Sequence, residues 1–465
     1  MAAVPEPPAR QRRRVPTWFI AVAAVTAVLA LVTFAVALGL PERLRNGPER
    51  PLAFGPLGDP VATIPYGERL EVGFAQVAGR RAFIGGQVGE DLILKSIDVD
   101  TGVEHWSRTV TGAPLWTGLL AVPDAVVVYG HEYAGDDPRP MVVHDPETGQ
   151  ERWRRDYSGA DETYVMDGVL VHVDWINSQI LGLRLADGEQ VWEREFPVDR
   201  GGTPGVTVLP VYARADLAGS STFFGGTAGA LADDRMVLVG ADRSVTVVDV
   251  GSGQALAERA NVAGLTDFML AYEDRLYVAP DEAGYAVVGY DLTRLDAEPR
   301  TIYQTRDPER RPARLRACGA NRVCVLDNVS YDRETTQVAL VDAAAATELW
   351  RHDAAGVDRL VPVGGAVMVG DTYPYTVGYS GDGERFFAQH QGVAVRINAG
   401  NMLLFATLPA SYAVDLSVAG VAVETGELTE LGLLPEVRGE GCAWSGGYIV
   451  CPGEDNFRIW RYANP

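Results

Sequence analysis

Beyond residue 61 the hydrophobic pattern is one of short apolar runs in pairs, each pair split by a polar turn. The pairs fall at 81–87 with 92–98, 125–130 with 141–145, 168–175 with 180–185, 235–240 with 244–249, and 275–279 with 286–291. They continue at 322–326 with 336–342, 366–370 with 375–379, 402–407 with 415–423, and 448–451 with 457–462. Val, Ile, Leu and Tyr dominate the runs, while Gly, Asp and Asn fill the turns. This is the signature of hairpins. No stretch after residue 41 carries a helical period. Residues 196–232, rich in Gly, Pro and Thr, make the longest gap between pairs and predict an inserted loop.

A phrase punctuates these pairs. It reads Asp98-Val-Asp-Thr-Gly102-Val-Glu-His-Trp106, then Asp145-Pro-Glu-Thr-Gly149-Gln-Glu-Arg-Trp153, and returns with Gly188 and Trp192. Asp249 and Gly253 repeat its first half, and Asp342 leads to Trp350 with Ala346 in place of Gly. Further glycines or replacements stand near 297, at Gly383 and at Gly426. The Asp accepts hydrogen bonds from turn amides, and the Gly supplies a positive φ at little cost. The Trp opens the next strand and has area enough to pack between neighbouring sheets. Hairpins recurring every ~40–50 residues with a fixed phrase indicate propeller blades. The expectation is an all-β fold, a β-propeller of four-stranded blades. Eight phrases favour eight blades, with seven the runner-up. The nine strand pairs exceed eight blades by one, and the last pair is expected to join an N-terminal strand near 61–66 to close the ring.

Composition sharpens this picture. The chain has 465 residues, 47% of them hydrophobic, with 51 Gly and 28 Pro, which suits a turn-dense all-β body. The net charge is −22. Residues 1–50 hold seven Arg and three Glu, so the remainder carries 33 basic against 59 acidic groups. Such a surface repels phosphate backbones and excludes nucleic acid as a partner.

The N-terminus reads differently. Arg10, Arg12, Arg13 and Arg14 precede an uncharged run from Val15 to Pro41, long enough as a helix to cross a hydrocarbon core. The domain reading is a basic cytoplasmic tail at 1–16, a transmembrane helix at 17–40, a linker at 41–60 and the propeller at 61–465. The competing reading is a cleaved signal with Ala35-Val-Ala37 as its site. Either exports the body, and the single-pass reading puts it at the plasma membrane with the propeller outside. The four cysteines agree. Cys318 and Cys324 flank one turn and Cys442 and Cys451 another, so each pair is expected to close its own hairpin. Free thiols and a metal site are the alternatives.

The phrase and its spacing resemble the pyrroloquinoline-quinone-like repeat propellers, and among these the non-enzymatic, outer-membrane assembly scaffold-like members. The resemblance covers roughly residues 60–465. Its quinoprotein dehydrogenases imply a cofactor over an adjacent pair of disulfide-bonded cysteines with a calcium ion nearby, and here no two cysteines are adjacent. No catalytic, cofactor-binding or metal-ligating residue is therefore assigned, and no cofactor is expected. His105, His144 and His352 lie in or beside repeat phrases and read as structural. His131-Glu132-Tyr133 with Asp136-Asp137, and Ser380-Gly-Asp382-Gly-Glu384, read as acidic or repeat turns. The function expected is a membrane-tethered, extracytoplasmic scaffold that binds other envelope proteins. A sensor of small ligands or carbohydrates, with Trp116 and Trp175 as stacking platforms, is one alternative. A quinone-dependent dehydrogenase is the other.

Overall fold

The computed structural model describes residues 52–464, except 132–138, 167, 224–227, 229–230, 372–374 and 408–409. The transmembrane helix and basic tail of the sequence reading lie outside these residues, as do Glu132 to Asp137. No helix among the described residues is long and apolar enough to cross a membrane.

The described chain forms nine four-stranded antiparallel sheets, not eight. Eight of them are consecutive meanders, beginning at Gly73–Ala78, Leu115–Val122, Glu162–Met166, Val206–Pro210, Phe268–Tyr272, Arg310–Ala317, Val357–Val363 and Val393–Asn398. Each opens with the strand nearest the axis, and these sheets are blades 1 to 8 here. Blade 9 takes its inner three strands from the C-terminus (Ala443–Ser445, Tyr448–Pro452, Asn456–Arg461). Its outer strand is Ala62–Pro65 from the N-terminus, paired Ala62 to Ile459 and Ile64 to Phe457. Eight phrases undercount nine blades for a topological reason. The phrase marks the covalent turn between a blade's third and fourth strands, and in the closing blade those strands come from opposite chain ends.

The packing explains the phrase. In blade 1, Asp98 Oδ1 accepts the amides of Asp100 and Thr101 at 3.1 and 2.9 Å, and the Gly102 amide closes the turn on the Asp98 carbonyl at 2.8 Å. The Trp does not serve its own blade. Trp106 donates to the Pro146 carbonyl of blade 2 at 3.0 Å and lies under Gly149, where an added Cβ would sit 2.4 Å from its ring. Trp153 does the same to Leu185 and Gly188 of blade 3, and Trp192 to Val250 and Gly253 of blade 4. Blades 4 and 5 lack the Trp, and there arginine alone takes the carbonyls. Arg259 reaches Leu295 and Ala297 of blade 5, and Arg300 reaches Ala344 and Ala345 of blade 6. Trp350 lies against Gly383, and Phe386 against Gly426. The ring closes on the same device, with Ala62 of the N-terminal strand against Gly102.

Both cysteine pairs are disulfides within hairpins. Cys318–Cys324 joins the first two strands of blade 6, and Cys442–Cys451 those of blade 9. Residues 52–57, inside the stretch read as linker, lie on the body. Ala53–Phe54 pairs with Ala463–Asn464, the Leu57 amide donates to Leu431, and Phe54 covers Gly420.

Candidate functional site

Two regions of the ring carry chemistry that its packing does not require. The first is the axial channel. In blades 1, 2, 5, 7, 8 and 9 only two residues join the first strand to the second, for example Gly79-Arg80 and Pro123-Asp124. In blade 4 the same connection runs from residue 211 to 234. The sequence reading placed a loop over all of 196–232. The structure corrects its start, because Val206–Pro210 is the inner strand of blade 4. Apolar alternation over five residues was too short to separate that strand from its Gly- and Pro-rich surroundings.

This insert leaves blade 4 and reaches the far wall of the ring. A one-turn helix at Arg214–Leu217 begins it. Asp216 holds its neck, accepting the amides of Ala213 at 2.7 Å and Ala232 at 3.0 Å. Burial raises the Asp216 carboxyl above its usual range, and the two amides only partly offset that cost. Across the channel stands Arg396 of blade 8, fully buried. Its guanidinium donates to the carbonyls of Gly219 (2.6 Å), Asp216 (2.9 Å) and Pro362 of blade 7 (2.8 Å). Burial pulls this guanidinium down to about 10. The Ser221 amide donates to the Arg396 carbonyl at 3.0 Å, and the Arg396 amide donates back to Ser221 Oγ at 2.9 Å. Phe223 then enters an aromatic box, 4.9 Å from the Trp444 ring and 5.2 Å from that of Phe405. Trp444 is itself tied to the Arg396 carbonyl at 3.0 Å. The insert is thus a plug. Beside it, against blades 1 and 2, remain cavities of about 250 and 360 Å³ that share Gln76, Val77, Ser220 and Ala228.

The second region is the rim over blades 3 and 4, on the face opposite the Asp–Gly turns. Trp175 and Phe196 meet edge to face at 5.1 Å. Ile176 follows Trp175 and is 70% exposed, and Val198 is 53% exposed. Val198 pairs with Pro204, and a Cβ at Gly205 would meet Leu265 at 3.0 Å. The exposed apolar side chains of this rim strip are Ile176, Val198 and Leu265, while Trp175 is half-buried and Phe196 buried behind them. Beneath it, the buried His172 imidazole meets Asp161 at 2.9 Å, and Asp161 also accepts the Trp175 amide at 3.0 Å. That network fixes the loop carrying the strip.

The residues singled out in the sequence separate clearly. Trp116 is fully buried between blades 1 and 2, so it offers no face to a sugar, while Trp175 belongs to the rim. His144 bonds the Gly149 carbonyl and His352 that of Gly383, both within the repeat packing. Ser380, Asp382 and Glu384 form a turn of blade 7 closed on itself, with Ser380 Oγ bonded to the Glu384 carbonyl. Among the described residues no three of His, Cys, Asp and Glu gather as metal ligands. The cysteines lie in two hairpins of separate blades, and the axis holds the plug. These residues do not fit a quinone over a vicinal disulfide. Arg396, Asp216 and Phe223 were missed, because nothing local ties an arginine at 396 to a loop some 175 residues earlier.

Nine blades, each laid on the turn of the next and closed by a terminal strand, define a repeat-built β-propeller. Residues 89–260 match the sequence family described as outer membrane protein assembly factor BamB. Among solved structures, BamB from Moraxella catarrhalis is similar at 13% identity, over 87% of this chain and 100% of that one, with a TM-score of 0.45. The computationally designed Ika8 protein is similar at 13% identity, over 87% and 100%, with a TM-score of 0.44. A europium-containing methanol dehydrogenase follows at 10% identity, over 75% and 84%, with a TM-score of 0.38. No curated protein matches the chain.

Proposed function

We propose that this protein is a non-catalytic interaction scaffold of the cell envelope, held to the membrane by the apolar run at 17–40 with its propeller outside. The observation that carries the scaffold reading is the presence of three exposed apolar side chains, Ile176, Val198 and Leu265, on one rim of blades 3 and 4. Exposed large apolar side chains grouped on one rim of a folded body suit a protein-docking site. The match of residues 89–260 to an assembly factor family supports a partner in the envelope. The two hairpin disulfides support an oxidising compartment. The apolar run and the arginines before it support the anchor.

The test is crosslinking capture from envelope extracts with the full chain and with the Ile176→Asp, Val198→Asp double variant. A partner retained by the full chain and lost by the double variant, at unchanged thermal stability, supports the reading. An identical set of captured proteins from both chains removes it.

A further inference from the structure

We infer that the channel wall of blades 7, 8 and 9 is a peptide-binding site, and that the plug is its resident ligand. The partner it takes is a protein segment of the plug's own chemistry, with small hydroxyl residues leading to an aromatic one. The inference is independent of the rim reading and concerns a different surface.

The contacts are those by which a site reads a peptide. Arg396 takes two of the insert's main-chain carbonyls with one fork of donors, without reference to its side chains. The paired bonds between Arg396 and Ser221 fix the register and require a hydroxyl there. Phe223 is the anchor, a large apolar group in a box of Phe405 and Trp444, 8% exposed. Gly219 meets the guanidinium through its carbonyl alone, and a Cβ added there would touch nothing, so this position is read by its main chain. Recognition is therefore main-chain, then hydroxyl, then aromatic over eight residues, Asp216 to Phe223.

The wall does not need the plug for its own folding logic. Arg396 lies on the inner strand of blade 8, already paired to Met402 in its sheet. Trp444 belongs to blade 9 in the same way, paired to Ile449. Six other blades make the connection in question with two residues. The plug is an addition to a ring that closes without it, and the cavities along blades 1 and 2 leave space beside it. A second segment enters there and displaces the plug, so binding in trans competes with binding in cis. The tethered segment has the advantage of effective concentration, and access is low until it is released.

The experiment uses a labelled peptide of residues 213–223 and fluorescence anisotropy. The first chain carries an Asn-Gly turn in place of residues 211–234. It is expected to bind the peptide saturably, and the peptide with Phe223→Ala about tenfold or more weaker. No saturable binding, or equal binding of a scrambled peptide, overturns the proposal. Should that chain fail to fold, the full chain with Phe223→Ala decides the matter. It keeps the channel wall and weakens the resident ligand. It is expected to take the labelled peptide at least about tenfold more tightly than the unaltered chain. Equal binding by the two chains overturns the proposal.

Discussion

At the scale of single residues, a glycine of one blade and a tryptophan of the previous one form a unit. Gly149 adopts φ 69° and lies on Trp106, so its position excludes side chains on two grounds, backbone and space. Ala346 holds the equivalent position in blade 6 at φ 55°, where a Cβ is tolerated but strained. Ala346→Gly should therefore stabilise the fold by about 0.5–1 kcal/mol, the left-handed penalty relieved less the added chain entropy. Urea unfolding of the purified body measures this, and a lower midpoint would contradict the strain argument. The Asp of the phrase was legible for what it does, since Asp98, Asp145 and Asp249 bond the turn amides or hydroxyls three residues on. The residue beneath the Trp was legible only as a turn glycine. Its partner lies one blade away, and only packing brings the two together.

At the scale of elements, the hairpin is the piece the sequence states most fully. Short apolar runs placed the second and third strands of every blade, because the second strands are mostly buried on both faces and the third strands on at least one. The inner strands were harder. Glu162–Met166 is short and begins on polar residues, and Arg310–Ala317 carries four arginines and a proline in eight residues, so their patterns resemble that of a loop. The two disulfides act at this scale too. Each closes a loop with a sequence separation of 6 or 9 and ties an inner strand to its neighbour. Loops this short contribute about 2–3 kcal/mol each in the chain-entropy account. Replacing Cys442 and Cys451 by Ala should cost more than replacing Cys318 and Cys324. Blade 9 has no covalent turn between its third and fourth strands, so its inner hairpin has one fewer constraint. Thermal unfolding of the two double variants gives the comparison, and equal losses would refute the ranking.

At the scale of the whole molecule, closure decides stability. The outer strand Ala62–Pro65 pairs with Asn456–Ile459, places Ile64 in the interface between blades 9 and 1, and sets Ala62 on Gly102. Ile64→Ala should cost about 2–5 kcal/mol as a buried truncation. Removing residues 52–66 should lower the melting temperature further and expose the edge at Asn456–Arg461, giving self-association on size exclusion. A truncated chain that stays monomeric and melts where the full body does would show that closure by this strand is dispensable.

The sequence by itself determined the repeat, the hairpins and the propeller class, and it favoured the cysteine pairing that the structure joins. Each of these is written within about fifty residues, where spacing and turn chemistry act locally. The tertiary structure alone decided the count of nine, since the ninth blade has no turn phrase to read. It alone decided the plug as well, because Arg396 meets Asp216 and Ser221 only when blade 4 and blade 8 face each other across the axis. Contacts between distant segments follow from the curvature of the closed ring, which no local window of sequence contains.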